Sequence, residues 1–341
     1  MPMDCISRDA IQALQALTTQ AASVVVAGHT HPDGDALGST SALALYLQTL
    51  CGKHVTVVFP DSPADNLRFI LPESVNFRFH DTEAEKAESS IRQADLVFLV
   101  DCNGFQRTEA LQTPLETSRA RKVLIDHHLN PDRNAFDLVF STPEISSASE
   151  LLYWILKQLA EVSVPIGTAL LAGMTTDTNN FANSVYPSTF RMASELIAAG
   201  VDREALLQKL YGNFRENRVR LMGYMQHEGL HILPCGGAYM ILTREIQERF
   251  DLREGESEGL VNVPLAIGAV RLSLLLKEDE GHFRVSIRSK KGTSAQQLAQ
   301  RLFHGGGHEN AAGGKLFIGQ DIPCAEAAAG YVENALKEFL S

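Results

Sequence analysis

The sequence predicts an α/β protein with two domains that a helical linker joins. Three observations lead to this fold class: short apolar runs alternate with helical patterns in the first half, a helical stretch follows, and strand-like runs return towards the carboxyl end. The apolar runs are SVVVAG at 23–28, HVTVVF at 54–59, ADLVFLVD at 94–101 and KVLID at 122–126. Continuous runs of this kind are typical of strands covered on both faces, so we expect a mostly parallel sheet flanked by helices.

The other elements divide the 341 residues into three predicted regions: a first domain at 1–190, a helical linker at 191–228 and a second domain at 229–341. A helix is expected at about 36–50 in the first domain. The second domain contains strand-like runs, a helix near 294–303, the glycine loop HGGGHENAAGG and a terminal helix, which together indicate a smaller α+β domain. A chain of this length is expected to form two domains rather than one core.

The composition excludes several classes of protein. Hydrophobic residues make up 45% of the chain and charged residues 21%, as in ordinary globular proteins. No apolar stretch approaches the roughly 20 residues of a membrane span and no signal peptide is recognisable, so we expect a cytoplasmic protein. The five cysteines are never spaced as CxxC, which predicts free thiols. A formal net charge of −11 argues against tight binding of long nucleic acids.

Polar residues directly follow the predicted strands, at the ends where parallel sheets bind ligands. The first strand leads into the turn HTHPDGD, the run ending at Val100 leads into Asp101, and KVLI leads into Asp126, His127 and His128. A fourth segment, GMTTDTNNF, adds Asp177 after an apolar helical stretch. Each of these features taken alone also fits a polar turn, a helix cap or a surface histidine pair.

Together the four loops supply the number of ligands that two adjacent divalent ions use. Carboxylates suit hard cations and imidazole favours a transition metal, so we predict two divalent cations, Mn²⁺ first, with Mg²⁺ or Co²⁺ as alternatives. Two adjacent ions need a bridging carboxylate, for which Asp101 is the candidate. The predicted metal ligands are His29, Asp33, Asp35, Asp101, His127 and Asp177.

The same segments resemble a known family. HTHPDGDALGS, LVDCN, the tripeptide DHH and TTDTNNF look like the four motifs of the DHH phosphoesterase superfamily, and GGGHENAAGG looks like the signature of its DHHA1 domain. The resemblance covers nearly the whole chain and makes the predicted domains a DHH and a DHHA1 domain. In length and layout the chain is similar to the bacterial nanoRNase and 3′-phosphoadenosine 5′-phosphate (pAp) phosphatase group.

The resemblance implies a role for each motif residue. One metal ion is held by His29, Asp33 and Asp101, and the other by Asp35, Asp101, His127 and Asp177. Asp126 is similar to a carboxylate that orients a ligand histidine, and His128 to the residue that contacts the scissile phosphate or assists the leaving oxygen. The expected catalytic residues are therefore His128, Asp126 and Asp101, whereas His31 is not a ligand position.

A substrate clamp is predicted in the second domain. Glycines let a backbone approach a phosphate closely, and a guanidinium fork binds a terminal phosphate well. The alternative for the glycines is a flexible turn, and for Arg288 a solvated strand end. The predicted substrate-binding residues are Arg288, Gly305, Gly306, Gly307, His308 and, beside the metal site, Asn180.

The resemblance predicts a metal-dependent hydrolase, active as a monomer or homodimer on short single-stranded RNA or DNA oligonucleotides and on pAp. Three alternatives remain open at this stage. One is a phosphodiesterase for pApA or cyclic dinucleotides, and another is a single-strand DNA exonuclease of the RecJ kind. The third is a nucleic-acid-binding module without catalysis, against which the complete set of ligand residues argues.

Overall fold

The protein is described by a computed structural model that covers residues 5–341. The chain divides into two compact units, with the division between Asn213 and Phe214. Three helices occupy most of the region predicted as a linker: Pro187–Ala198, Arg203–Tyr211 and Glu216–His227. The predicted α/β class is confirmed, whereas the predicted domain boundaries stay a prediction.

The first unit is built on a fully parallel sheet of six strands in the order β3-β2-β1-β4-β5-β6. The strands are β1 (Ser23–Ala27), β2 (His54–Phe59), β3 (Asn76–Phe79), β4 (Leu96–Val100), β5 (Arg121–Asp126) and β6 (Leu138–Ser141). The four central strands were predicted from the sequence, but the edge strands β3 and β6 were not. Both edge strands are short and half-exposed, so they lack the apolar runs that mark the central ones.

In the described part of this unit, residues 5–213, eight α-helices surround the sheet. They are α1 (Arg8–Gln20), α2 (Gly34–Thr49), α3 (His80–Gln93), α4 (Gln112–Thr117), α5 (Ala148–Leu156), α6 (Val164–Asp177), α7 (Pro187–Ala198) and α8 (Arg203–Tyr211). Successive strand residues point to opposite faces, so Val24 and Val26 join the core beneath α1, α2 and α5–α8, whereas Val25 and Ala27 join the core beneath α3 and α4. Burial on both faces explains the continuous apolar runs.

The order β3-β2-β1-β4-β5-β6 places a reversal of strand order between β1 and β4. In doubly wound sheets the loops that follow the two strands diverge at this point and leave a crevice beyond their carboxyl ends. The loops after β1, β4 and β5 therefore emerge side by side at one edge of the sheet. These are the loops in which the sequence placed its candidate ligands.

The second unit has a mixed six-stranded sheet in the order β11-β12-β10-β9-β8-β7, in which only β8 and β9 pair in parallel. Its strands are β7 (His231–Ile232), β8 (Gly237–Leu242), β9 (Leu272–Asp279), β10 (His282–Ser289), β11 (Gly306–Gly307) and β12 (Ala311–Phe317). Its helices are α9 (Glu216–His227), α10 (Arg244–Arg249), α11 (Ala295–Leu302) and α12 (Ala328–Leu340). This is the α+β arrangement that the sequence predicted.

A charged cluster lies on the second unit. Glu254 accepts hydrogen bonds from Arg284 at 2.9 Å and from Lys277 at 2.8 Å. Burial on its own raises the pKa of Glu254, but the two basic side chains outweigh it and lower the pKa to about 2. Because the Glu254 side chain is 56% exposed, the pair adds little to stability.

Candidate metal centre

The loop after β1 brings His29 and Asp33 to the edge of the sheet. Gly28 is required before this loop, since a Cβ there would lie 2.2 Å from the ring of Phe59. His29 Nδ1 hydrogen-bonds to the Thr30 carbonyl at 2.7 Å, which turns Nε2 the other way. Asp33 caps α2, because its Oδ1 accepts hydrogen bonds from the amides of Asp35 and Ala36, both at 3.0 Å.

Asp35 lies in the first turn of α2, and its carboxylate is bound by the amino-terminal end of α5. Its carboxylate accepts hydrogen bonds from the Ala148 amide at 2.6 Å and the Ser149 amide at 2.9 Å, both at the start of α5. The positive end of a helix dipole favours such a buried carboxylate. The two amides fix the orientation of Asp35, and its oxygens keep lone pairs for a further ligand.

Close packing of α2 against α6 carries Asp177 to the same place. A Cβ on Gly38 would lie 2.5 Å from the Ala169 carbonyl oxygen, and one on Gly34 would lie 2.3 Å from Thr176 Oγ1. Two small residues thus let the helix backbones approach. Asp177 is the last residue of α6, so this approach sets its distance from the residues of α2.

Asp101 lies at the centre of the cluster. It follows β4 with a left-handed backbone, φ +57°, and its amide donates to the Ile125 carbonyl at 3.0 Å. Its Oδ2 is 3.5 Å from His29 Nε2, and its Oδ1 is 3.3 Å from Nε2 of His127. Each oxygen of one carboxylate therefore faces a different histidine, which is the arrangement that a bridging ligand needs.

The remaining contacts complete two groups that share Asp101. His29 Nε2 lies 3.8 Å from Asp33 Oδ1, while His127 Nε2 lies 4.0 Å from Asp35 Oδ2 and 3.6 Å from Asp177 Oδ2. The atoms of His29, Asp33 and Asp101 lie within 4.8 Å of one another, and so do those of Asp35, Asp101 and His127. The structure thus brings together all six predicted ligands.

The electrostatics of the cluster favour the entry of cations. Burial raises the pKa of Asp35 well above its usual value, and the carboxylates of Asp101 and Asp177 raise it further. Burial alone lowers the pKa of His127, but Asp177, Asp101 and Asp35 outweigh it and raise the pKa to about 10. Burial on its own raises the pKa of Asp101, yet His127 and His29 hold it well below its usual range. A divalent ion neutralises the negative charge of the same carboxylates without the uptake of a proton.

The donor set also fits a metal ion geometrically. His29 Nε2 and Asp101 Oδ1 are buried and have no hydrogen-bond partner among residues 5–341, although buried polar atoms nearly always find one. Ligand atoms that share an ion at about 2.1 Å lie about 3.0–3.4 Å apart, and the corresponding atoms here are 3.3–4.0 Å apart. These acidic and histidine groups could therefore hold a metal ion.

Asp126 and His128 form a separate pair beside the cluster. Asp126 Oδ1 is 2.7 Å from His128 Nδ1, and Asp126 Oδ2 accepts a hydrogen bond from the His128 amide at 3.0 Å. From the resemblance, Asp126 was expected to orient a ligand histidine. In the structure these bonds orient His128, the residue expected beside the phosphate. His128 Nδ1 is itself 3.7 Å from Asp101 Oδ1.

Arg107 is a candidate functional residue that the sequence analysis missed. Its Nη1 lies 2.7 Å from His128 Nε2, and its carbonyl accepts a hydrogen bond from the Thr30 amide at 2.8 Å. The signal was a single arginine six residues after Asp101 in the same loop. An isolated arginine in a loop is too common a feature to stand out without the fold.

Asn180, predicted to bind substrate, lies in the turn that follows α6. It is exposed, and its Oδ1 accepts a hydrogen bond from Arg203 Nη2 at 2.7 Å. Its backbone is left-handed, as are those of Asn179 and Phe181, so the chain turns sharply after α6 and directs the side chain towards Arg203.

In the second unit, Arg288 on β10 and Gly306 and Gly307 on β11 lie on two strands that both pair with β12. Arg288 pairs with Ala311 across β10 and β12, and Gly307 pairs with Ala312 across β11 and β12. Arg288 Nη1 donates to the carbonyls of Ile287 at 3.0 Å and Ala312 at 3.4 Å. The strand register therefore brings the guanidinium and the glycine loop to one end of the sheet.

Close backbone contacts explain two of the three clamp glycines but not the third. A Cβ on Gly305 would lie 1.9 Å from the Gly313 carbonyl oxygen, and Gly307 has φ +142° with the Ala311 oxygen 2.6 Å from its would-be Cβ. The chain itself thus requires these two. Around Gly306 no atom of the described residues lies within 4 Å of a would-be Cβ, so packing does not explain that glycine.

The HEN part of the loop has a structural function. Asn310 Nδ2 donates to Ser289 Oγ at 3.0 Å and to two carbonyls of the turn after β10. The carboxylate of Glu309 accepts a hydrogen bond from Ser294 Oγ at 2.9 Å at the start of α11. His308 closes a tight turn, since its amide donates to the Ala311 carbonyl at 2.7 Å. These bonds fix the glycine loop between β10 and α11.

Comparison with known proteins decides the family. The DHH family, N-terminal domain, matches residues 23–176, and the DHHA1 domain matches residues 238–338. A protein of Streptococcus mutans named probable bifunctional oligoribonuclease and PAP phosphatase NrnA is 30% identical over 302 residues, which are 86% of this chain and 90% of the relative. The chain belongs to the DHH/DHHA1 phosphoesterase family. As a member of this family it is a hydrolase.

Two further comparisons cover the same DHH/DHHA1 region. A crystal structure of an exopolyphosphatase-related protein from Bacteroides fragilis superposes with a TM-score of 0.91 at 32% identity and covers 99% of this chain and 98% of that one. Cyclic-di-AMP phosphodiesterase PdeA of Listeria monocytogenes is 28% identical over 335 residues, 93% of this chain but 48% of the relative. No helix of residues 5–341 is long and apolar enough to cross a membrane.

Proposed function

We propose that this DHH/DHHA1 protein uses two divalent cations, manganese in the first place, to hydrolyse short oligonucleotides and pAp. The observation that carries the proposal is the pair of ligand groups that share Asp101, with one carboxylate oxygen facing His29 and the other facing His127. Two-metal phosphoesterases use ions roughly 3.5–4 Å apart, which a shared carboxylate can hold. The NrnA name of the Streptococcus mutans relative supports the substrate class.

In this proposal each ligand has a defined task. His29, Asp33 and Asp101 hold one ion, and Asp35, Asp101, His127 and Asp177 hold the other. When bound, the two cations neutralise charge on the phosphate and lower the pKa of a water molecule. The side chains themselves need little rearrangement, because the amides of α5 fix Asp35 and those of α2 fix Asp33.

The reaction proposed is hydrolysis of a phosphate ester. A water oxygen bonds to phosphorus, the ester bond breaks, and the leaving oxygen takes up a proton, so that pAp yields adenosine monophosphate and inorganic phosphate. Asp126 and His128 are proposed to act beside the reacting phosphate. His128 Nε2 accepts from Arg107 here, so His128 would have to lose that contact before it could donate a proton to the leaving oxygen.

The second domain is proposed to bind the end of the substrate. Arg288 offers a planar fork of donors and lies at the same end of the sheet as Gly306, whose backbone is open to an approaching phosphate. His308 completes the proposed clamp. A clamp for one terminal phosphate gives short substrates an advantage, since they need no extended basic surface.

The PdeA relative favours a second candidate, hydrolysis of cyclic dinucleotides or of pApA, by the same metal centre. Both candidates cleave small adenine-containing phosphate esters, so one panel of substrates separates them. Oligomeric state and cellular compartment stay the predictions made from the sequence.

The test is hydrolysis in Mn²⁺ of pAp, pApA, cyclic di-AMP, RNA of two to five nucleotides, and one long RNA and one long DNA. We expect rapid turnover of pAp and of the shortest RNAs. Asp101→Asn should abolish it, whereas the exposed Asp65→Asn serves as the matched control and should leave it unchanged. Preference for cyclic di-AMP would favour the second candidate, and preference for the long DNA would contradict both.

A further inference from the structure

Arg107 is a half-buried cation without an ion pair. Among the residues that the structure describes, no carboxylate lies within 4.0 Å of its guanidinium, although Asp101 and Asp126 are nearby. Arginine is rarely buried unless it is paired, and within residues 5–341 the one side-chain hydrogen-bond partner of its Nη1 is Nε2 of His128. A guanidinium in this environment is suited to an anion that the protein itself does not provide.

A chain of two hydrogen bonds, from Arg107 to His128 and from His128 to Asp126, fixes the guanidinium. Arginine only donates, so Nε2 of His128 accepts from Arg107, and Nδ1 of the same ring then carries the hydrogen that Asp126 Oδ1 accepts at 2.7 Å. Asp126 is fully buried and also binds the His128 amide, so the ring is held at two points. Asp126 and His128 thus determine the position of Arg107.

The backbone around Arg107 is equally constrained. Arg107 lies in a 3-10 turn, Phe105–Leu111, whose side chains Phe105, Thr108 and Leu111 are buried in the core. Thr108 Oγ1 donates to the Phe105 carbonyl at 2.6 Å, and the ring of Phe105 stacks on Phe136 at 4.9 Å. With these residues anchored, the guanidinium is presented at the sheet edge without a large loss of side-chain freedom on binding.

The location of the guanidinium relates it to the metal centre. One imidazole ring separates it from Asp101, since His128 touches Arg107 with one nitrogen and lies 3.7 Å from Asp101 Oδ1 with the other. The Arg107 carbonyl also binds the amide of Thr30, the residue after His29. The loop therefore places a guanidinium beside the proposed metal pair, where a bound phosphate would lie.

We propose that Arg107 binds the phosphate group that is hydrolysed, and that Asp126 and His128 are positioning residues for its guanidinium. This rests on the proposed phosphoesterase function and deepens it. The phosphate contact that the resemblance implied for His128 is then shared with Arg107. Planar donors that face developing charge on a phosphoryl group stabilise its transition state.

The first test compares Arg107→Ala and Arg107→Lys with Arg119→Ala, which removes an exposed arginine that precedes β5 at the opposite edge of the sheet. We expect Arg107→Ala to lower kcat/KM for pAp by about 10²–10³-fold, mostly in kcat, with unchanged manganese content and unfolding midpoint. Added guanidinium ion should restore part of the rate, and sodium chloride of equal ionic strength should not. Lysine should restore little, because it lacks the fork. A rate within about twofold of wild type for Arg107→Ala overturns the proposal.

The second test does not depend on turnover. Calorimetry with inorganic phosphate should show an affinity about tenfold or more lower for Arg107→Ala than for wild type and Arg119→Ala. If wild type hydrolysed no member of the panel, the proposed function would fail, and this comparison would still decide the role of Arg107. Equal phosphate affinities in all three proteins refute it.

The positioning role is tested by a double-mutant cycle. Asp126→Asn should reduce kcat at unchanged manganese content, and adding Arg107→Ala to it should cost much less than Arg107→Ala alone, because the two substitutions disturb one interaction. Fully additive losses would mean that Asp126 and Arg107 act independently, and they would remove Asp126 and His128 from the proposal.

Discussion

Replacing Gly38 by alanine should damage both the stability and the metal centre. The new Cβ would lie 2.5 Å from the Ala169 carbonyl oxygen, whereas ordinary contact begins at 3.4 Å, so α2 and α6 would have to separate locally by about 0.9 Å. Overpacking of this kind costs about 1–3 kcal/mol, and alanine in a helix recovers up to about 1 kcal/mol. The upper end of the overpacking cost applies because all three close contacts are backbone atoms, so we expect a net loss of about 2 kcal/mol in the free energy of unfolding.

The same displacement should weaken manganese binding. Asp35 lies on α2 and Asp177 at the end of α6, so their separation changes when the helices move apart. Disturbing the support of metal ligands lowers metal affinity by about 10–100-fold. Gly223→Ala is the matched control, because it places a Cβ in open space on the exposed face of α9 and should add about 0.5–1 kcal/mol.

Urea unfolding and manganese calorimetry on the two variants check the reasoning together. The predicted outcome is a lower midpoint and weaker manganese binding for Gly38→Ala, with a slightly higher midpoint and unchanged binding for Gly223→Ala. If Gly38→Ala were as stable as wild type and bound manganese equally well, the close approach of α2 and α6 would not be what positions Asp177.

Three further predictions concern other parts of the chain. The lowered pKa of Glu254 means that its ionised form stabilises the fold above its unfolded pKa near 4.5. By urea unfolding at pH 7, wild type should be more stable than Glu254→Gln by less than about 1 kcal/mol, and this difference should shrink as the pH falls from about 4.5 towards 2. A difference that stays constant with pH would contradict the ion pair. Gly306→Ala should fold normally but raise KM for pAp about tenfold, because its Cβ occupies the space left for a phosphate, while Gly268→Ala should leave KM unchanged; equal KM values would remove Gly306 from the clamp. Mass spectrometry after brief alkylation should find exposed Cys324 modified and buried Cys102 protected until unfolding, and rapid labelling of Cys102 would show that this loop opens.

The sequence predicted the parts of the fold that carry strong apolar patterns. The four central strands were recognisable because both of their faces are buried, and the helix starting at Gly34 followed from its apolar content. The edge strands β3 and β6 were missed because half-exposed strands of four residues have no such signal. The short turns that hold Arg107 and the clamp depend on tertiary packing and are not encoded locally.

For the candidate site, the residue types with the strongest chemical signal were the ones predicted. The histidines and aspartates after β1, β4 and β5 converge because parallel strands end at one edge of the sheet. Arg107 was missed because its importance comes from a single contact with His128, which only the fold creates. Asn180 lies in a left-handed turn and contacts Arg203, so its part in substrate binding stays a prediction.

The most direct test of the two-metal claim is the number of manganese ions that each chain binds after dialysis against a chelator, measured by calorimetry and elemental analysis. Wild type should bind two ions, His29→Gln should retain one, and Asp101→Asn should weaken both because it removes the shared ligand. Binding of a single ion by wild type, or two ions bound as tightly by Asp101→Asn, would contradict the account.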